Sequence, residues 1–187
     1  IGTAYTVANN YKEMQFLWVN KIVGHFNASF LIVNNGIQSP VAINSTRFSQ
    51  TVGPYIEFKK NKLSASLRTY YQTGTDGATK RDIAAYFAGA DVSYKVNSRL
   101  SIGIGSEILS GQSQTDTLKS YVDVNHAFNP LYGTAHKFNG FMDYFYVGNH
   151  INSVRLNDLY FKIKYNMKMC WVKLDIHQFL AEADVVD

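Results

Sequence analysis

The sequence has few of the residues that cross-link or interrupt a chain. Its 187 residues include one cysteine, Cys170, so no internal disulfide can form, and only three prolines. Charged residues make up 17% of the chain, below the roughly 25% of ordinary soluble domains. No run reaches the ~18 apolar residues that a transmembrane helix needs. These absences argue against a disulfide scaffold and a membrane-spanning helix, and they suit long, uninterrupted strands.

Signatures of catalysis, nucleic-acid binding and metal binding are also missing. No Gly-x-Ser-x-Gly or His-Glu-x-x-His motif occurs, so we expect no enzyme and no cofactor. The net charge is only +4 and the basic residues form no continuous run, so we expect no nucleic-acid partner. His126, His136 and His150 lie near Asp123 and Asp143, but their spacing matches no metal-ligand pattern. We therefore expect no metal.

Apolar and polar residues alternate with a period of two, as in strands, whose successive side chains point to opposite faces. In residues 63–72, for example, Leu67 and Tyr71 occupy odd positions and fall on one face, and Arg68 and Tyr70 occupy even positions and fall on the other. Many segments span around 10–14 residues, longer than the ~5–6 of globular strands and enough for a membrane strand of ~9–11. We predict strands at 3–9, 12–23, 26–34, 47–59, 62–73, 82–96, 99–110, 155–166 and 169–180. Facing is ambiguous in the first strands, because Phe16 and Leu17 are both apolar.

Short and long connections alternate along the chain. The short ones lie around 24–25, 60–61, 97–98 and 166–168, and the long ones at 34–46, 73–81 and 111–154. In an up-and-down sheet this places every short turn at one rim and every long loop at the other. Outer-membrane barrels show that asymmetry.

The alternation alone does not say which face points outward. A soluble barrel has an apolar interior, whereas a membrane barrel has an apolar exterior. The apolar faces here are nearly free of charge, and aromatics such as Tyr71, Tyr94 and Tyr165 lie near their ends, where interfacial girdles form. We favour the membrane barrel and keep a soluble barrel or sandwich as the alternative.

A loop motif favours the membrane barrel further. It lies in the segment 128–145 and includes Phe128, Asn129, Pro130, Tyr132, Gly133, His136, Lys137 and Phe138. The segment resembles a loop of alginate-export-type outer-membrane proteins, especially those of Bacteroidetes, and residues 15–21 and 88–111 are similar to that family too. The resemblance implies an all-β, antiparallel up-and-down transmembrane β-barrel in the bacterial outer membrane, with about 16–18 strands. It also implies transport of an acidic polysaccharide of alginate type.

The sequence departs from that family at both ends. It begins at Ile1 without a signal peptide, and it ends at Asp187 without a terminal aromatic strand. An open sheet would leave two unpaired edges in lipid. We therefore expect residues 1–187 to be one incomplete barrel domain, with about nine strands of a larger barrel.

One parity of the predicted strands carries charges of both signs. We expect these side chains to line a pore: Arg68, Lys95, Glu107, Asp158, Lys162, Lys164, Lys173 and Asp175. One interpretation is a basic lining that selects anions. The other is a ladder of salt bridges, completed by Glu57 and Asp91, with no net charge. Tyr70, Tyr160 and Trp171 share this parity and either stack on sugars or fill space.

The long connection at 111–154 is too long for a hairpin loop of ~2–5 residues. Its aromatic residues need burial, so we expect it to fold over or into the pore, with Lys137, Lys162 and Lys164 near the constriction. The alternative is an extracellular cap that shields the barrel or contacts a partner.

The function that we expect is an outer-membrane channel for passive passage of polar or anionic solutes. Outer-membrane lipid and an anionic saccharide are the expected partners, and envelope proteins are left open. The alternatives are a non-transporting barrel subunit or scaffold of an outer-membrane complex, and a soluble lipophile-binding barrel.

Overall fold

The chain folds into one open antiparallel sheet. The computed structural model describes residues 11–39, 45–77, 79–131 and 153–186. The strands in these ranges are β1 Tyr11–Val23, β2 Phe26–Gln38, β3 Thr46–Lys60, β4 Leu63–Thr75, β5 Asp82–Lys95, β6 Leu100–Leu109, β7 Val124–Asn125, β8 Leu156–Asn166 and β9 Trp171–Ala181. One short helix, α1, covers Lys119–Val122. No helix in the described ranges has the length and apolar character to cross a membrane.

The strand order follows the chain, β1-β2-β3-β4-β5-β6-β8-β9, and β7 pairs in parallel with the start of β5. The prediction of an all-β, antiparallel, up-and-down sheet is confirmed, and the architecture is consistent with a partial β-barrel. Within the described residues the sheet is not closed, because β1 and β9 form its two edges. The predicted strand at 3–9 lies outside the described residues.

The short connections lie at one end of the sheet, as predicted, because neighbouring strands are antiparallel. We call this end, with the turns at 24–25, 61–62, 96–99 and 167–170, the turn end, and the opposite end the loop end. Gly24 and Asn61 have positive φ angles of 58° and 54°, which glycine and asparagine tolerate best. In the third turn the Asn97 side chain accepts hydrogen bonds from the backbone N–H groups of Arg99 and Leu100.

The two faces of the sheet differ in composition and in exposure. The apolar face is open: Ile104 is 57% exposed and Leu174 is 53% exposed. On the opposite, polar face, Asp158 is 1% exposed and Tyr160 is 6% exposed. A water-soluble sheet protein normally buries its apolar face against a core, so this distribution is inverted.

The register settles the facing of β1, which the sequence left ambiguous. Phe16 pairs with Val33 and Trp18 pairs with Leu31. Val33 is in turn paired with Thr51, and Thr51 with Gln72, on the polar face. Phe16 and Trp18 therefore lie on the polar-face side of this edge strand.

Candidate functional site

The charged residues of the polar face form rows across the sheet, since the register places them directly opposite one another. Two middle rows and two turn-end rows contain every charged residue that we predicted to line a pore. The middle rows are Arg68, Gly89, Glu107, Asp158, Phe179 and Ser66, Asp91, Gly105, Tyr160, His177. The turn-end rows are Ser64, Ser93, Gly103, Lys162, Asp175 and Lys95, Ser101, Lys164, Lys173.

The middle rows hold an ion-paired network around Arg68. Its Nη1 lies 3.0 Å from Asp91 Oδ2, and its Nη2 lies 2.5 Å from Glu107 Oε1. The same Nη2 donates a hydrogen bond of 3.4 Å to the Tyr160 hydroxyl, and the Ser66 hydroxyl donates to Asp91. We call these five residues the Arg68 cluster. It links β4, β5, β6 and β8 through side chains alone.

Two glycines allow the Arg68 cluster to lie flat on the sheet. Arg68 crosses Gly89, where a Cβ would lie 2.9 Å from its Nε. Tyr160 lies over Gly105, where a Cβ would lie 2.4 Å from the aromatic ring. Both glycines are therefore needed for close approach of a side chain to the backbone.

The other carboxylates of these rows have partners as well. Asp158 receives His177 Nδ1 at 3.0 Å, and the His177 ring stacks on Phe179 with centroids 5.5 Å apart. Lys173 Nζ lies 2.6 Å from Asp175 Oδ2. The salt-bridge interpretation thus describes Arg68, Lys173 and the carboxylates of the polar face.

The remaining lysines differ. Among the described residues, no carboxylate lies within salt-bridge distance of Lys95, Lys162 or Lys164. Lys162 Nζ lies 3.9 Å from the Tyr160 ring centroid, and Lys164 Nζ lies 5.4 Å from that of Trp171. The turn-end rows contain four lysines and one aspartate, a formal charge of +3.

A small cavity lies among these lysines. It measures about 150 Å³, and its polar lining consists of Lys162, Lys164, Tyr160, Ser93 and Ser101 together with the carboxylate of Asp91. Ammonium and hydroxyl groups both donate hydrogen bonds to anionic oxygens. The turn-end rows thus carry a surplus of positive charge that suits an anion, whereas the middle rows hold Arg68 with Asp91, Glu107 and Asp158, a formal charge of −2 without His177.

The described first part of the long connection lies against the polar face at the loop end. Phe128 is buried against Ala85 and Leu109, and its ring centroid lies 5.7 Å from that of Phe87. Gln72 fixes the next residue with two reciprocal bonds: it donates to the Asn129 carbonyl at 2.7 Å and accepts from the Asn129 N–H at 2.9 Å. Of the loop motif, Pro130 is half-buried. The motif residues Tyr132, Gly133, His136, Lys137 and Phe138 lie outside the described residues.

The described part of this connection lies away from Lys162 and Lys164, and Lys137, the third residue of the expected constriction, lies outside the described residues. Lys162 and Lys164 lie four and six residues along β8 from Asp158, roughly 13 and 20 Å at ~3.3 Å per residue. Phe128 contacts Leu109, on the opposite side of the Arg68 row. The apolar patch that receives the aromatic side chain lies at the loop end, away from the lysines.

Arg155 is a charged residue at the loop end that the sequence analysis missed. It precedes β8 with a positive φ of 54° and is 3% exposed. Its Nη2 donates a hydrogen bond to Asn129 Oδ1, and its Nε has no partner. Burial lowers the pKa of Arg155 to about 10. A single arginine at a strand boundary has no pattern by which sequence reasoning could have found it.

The described residues contain no group of three or more His, Cys, Asp or Glu that could hold a metal ion. Within them, His126 stacks on Tyr121 with ring centroids 4.3 Å apart. Comparisons with protein-family models, curated proteins and solved structures found no match.

Proposed function

We propose that this chain forms part of the wall of an outer-membrane β-barrel channel for polar or anionic solutes. The observation that carries the proposal is the inverted sheet, with an exposed apolar face and a polar face that holds the charges. In a bilayer the apolar face has a suitable solvent, and in water it has none.

The strand lengths support a membrane location. The eight long strands contain 10 to 15 residues, and a tilted transmembrane strand needs about 9–11. Three tyrosines of the apolar face, Tyr71, Tyr94 and Tyr165, are exposed near strand ends. Amphipathic rings are enriched at the headgroup level of membranes.

The first experiment tests the lipid-facing surface with two substitutions on opposite faces of β4. Leu67→Arg puts a charge on the apolar face and should destabilise the protein folded in bilayers by about 2–4 kcal/mol. Ser64→Arg, on the polar face, should have a much smaller effect. Urea-dependent folding into vesicles measures both. Equal costs would contradict the assigned facing.

The turn-end lysines support the solute class. Lys95, Lys162 and Lys164 have no carboxylate within salt-bridge distance among the described residues, and basic rings in pores favour anions. An acidic polysaccharide of alginate type is the candidate solute that the resemblance suggests. A ladder of salt bridges over the whole face would instead give a pore without charge preference.

The second experiment is conductance of the protein that contains this chain, in planar bilayers. A triple variant, Lys95→Gln, Lys162→Gln and Lys164→Gln, should shift the reversal potential in a salt gradient away from anion preference. The matched control neutralises three lysines off the polar face: Lys60→Gln, Lys80→Gln and Lys119→Gln. An unchanged reversal potential in the first variant would contradict the role of the turn-end rows.

A non-transporting barrel subunit is the second candidate. The observation that favours it is that side chains cover much of the polar face. The Arg68 cluster covers the middle rows, and Phe128 covers the face at the loop end. A protein that inserts into bilayers and gives no conductance would support this candidate over the channel.

A further inference from the structure

Arg155 combines three features that are unusual in one residue. It is a cation buried to 97%, its backbone has the left-handed φ of 54°, and its Nε lacks a hydrogen-bond partner. Non-glycine residues adopt this backbone conformation only where the surroundings enforce it. Here the conformation accompanies a contact between the guanidinium and Asn129 of the long connection.

The charge of Arg155 is not compensated within the described residues. Its one hydrogen-bond acceptor, the Asn129 side-chain oxygen, is neutral, and no carboxylate lies within salt-bridge distance. Arg68 shows the contrast, because it contacts two carboxylates on the same face of the sheet. A buried charge without a counterion is strongly unfavourable. The lowered pKa of Arg155 reflects this desolvation.

The site is also held in place. Asn129 cannot move freely, because Gln72 bonds both its N–H and its carbonyl, and Phe128 beside it is buried. A guanidinium recognises a planar carboxylate through two parallel N–H groups. Nε and Nη2, whose N–H groups point to the same side, provide such a pair here: Nε has no partner, and Nη2 bonds a neutral amide that a carboxylate can replace.

We infer that Arg155 is an anion-binding site for a carboxylate-bearing solute, located at the loop end of the polar face. The inference rests on the proposed function for the origin of the solute, but binding itself is independent of conduction. Because Arg155 is 3% exposed and its Nη2 bonds the Asn129 side chain, a carboxylate reaches the guanidinium by displacing that side-chain amide, while the Asn129 backbone stays bonded to Gln72.

The test uses D-glucuronate, which joins a carboxylate to the hydroxyl groups of a polar solute, and D-glucose as its neutral counterpart. Calorimetric titration of the detergent-folded protein should show binding of glucuronate and none of glucose. Arg155→Gln should weaken glucuronate binding about tenfold or more, as expected for loss of a charge-assisted pair. Arginine and glutamine both carry a Cβ, so the backbone strain at position 155 is the same in the wild type and in the variant.

Lys60→Gln is the charge-matched control off the polar face and should change glucuronate affinity by less than about twofold, because Lys60 lies at the turn end, the opposite end of the sheet from Arg155 and beyond the ~10 Å screening distance at 0.1 M salt. Equal loss in both variants would overturn the site, since it would indicate a general charge effect. Equal binding of glucose and glucuronate would also overturn it.

A second measurement does not depend on a variant that folds. Butanedione modifies accessible arginines, and glucuronate, but not glucose, should protect Arg155 as read by peptide mass spectrometry.

The sequence offers one internal competitor, Asp143, which is the only carboxylate between 132 and 152. If wild type binds no glucuronate and Asp143→Asn acquires binding, the inferred solute site is overturned in favour of an internal counterion. Binding without conductance would instead contradict only the proposed channel.

Discussion

The middle and turn-end rows of the polar face both carry charges, but they differ in electrostatics, since the middle rows hold one arginine and three carboxylates and the turn-end rows four lysines and one aspartate. In the middle, Arg68 lies across Gly89 from Glu107 and diagonally from Asp91, so its charge is paired twice. At the turn end, Lys164 lies between Ser101 and Lys173. The difference shows that a charge is neutralised where the cross-strand neighbours supply the opposite sign, as the carboxylates do around Arg68, and is not where they are serine or lysine.

The largest effect that we expect comes from removing the cation of the Arg68 cluster in the middle rows. Arg68→Ala leaves two partly buried carboxylates, Asp91 and Glu107, close to each other without their shared cation. Removal of one partner of a buried ion pair typically costs about 3–5 kcal/mol, and we expect about 3 here because the cluster is partly solvated. Urea-dependent unfolding from vesicles measures the loss.

Lys95→Ala is the matched change in the turn-end rows. Lys95 is exposed and has no carboxylate partner among the described residues, so its removal should cost about 0.5 kcal/mol or less. If the two variants lose the same stability, the contrast between paired and unpaired cations does not hold.

A smaller effect should distinguish two glycines of β6. A Cβ at Gly105 would lie 2.4 Å from the Tyr160 ring, whereas at Gly103 the nearest atom would be 3.3 Å away. Gly105→Ala forces Tyr160 off the sheet and should cost about 1–3 kcal/mol. Gly103→Ala should lie within about 0.5 kcal/mol of wild type, because alanine also removes chain entropy from the unfolded state. Parallel urea titrations of the two proteins provide the comparison, and a larger cost for Gly103→Ala would refute it.

The strands were largely predictable because the period-two alternation is a local property. β5 was predicted at 82–96 and observed at 82–95. The prediction for β2 stopped at 34, whereas the strand continues to Gln38. Its end looks like a loop in sequence, with Asn35 and Gly36, but pairing with β3 keeps it extended. α1 and β7 lack periodicity, and β7 forms where β6 has left the edge of β5 open.

The candidate site was predictable only as a set of residues that share one face. Which of them pair depends on register between strands, and Arg68 and Glu107 are 39 positions apart in sequence. A shift of two residues between neighbouring strands would keep every facing and change every ion pair. Arg155 lies before β8, outside the period-two alternation. The direction of its side chain depends on a positive φ angle, which the sequence does not reveal.

The smallest effect concerns the contact that joins the two regions. Lys162, in the turn-end rows, places its Nζ 3.9 Å from the ring centroid of Tyr160, which belongs to the Arg68 cluster. Ammonium groups over aromatic rings contribute about 0.5–1 kcal/mol at exposed sites. A double-mutant cycle with Lys162→Gln and Tyr160→Leu should therefore give a coupling of about that size. The matched cycle with Lys95→Gln and Tyr160→Leu should give a coupling near zero, because Lys95 lies two strands away from Tyr160. Equal couplings in the two cycles would mean that Lys162 acts on the middle rows only through its long-range charge.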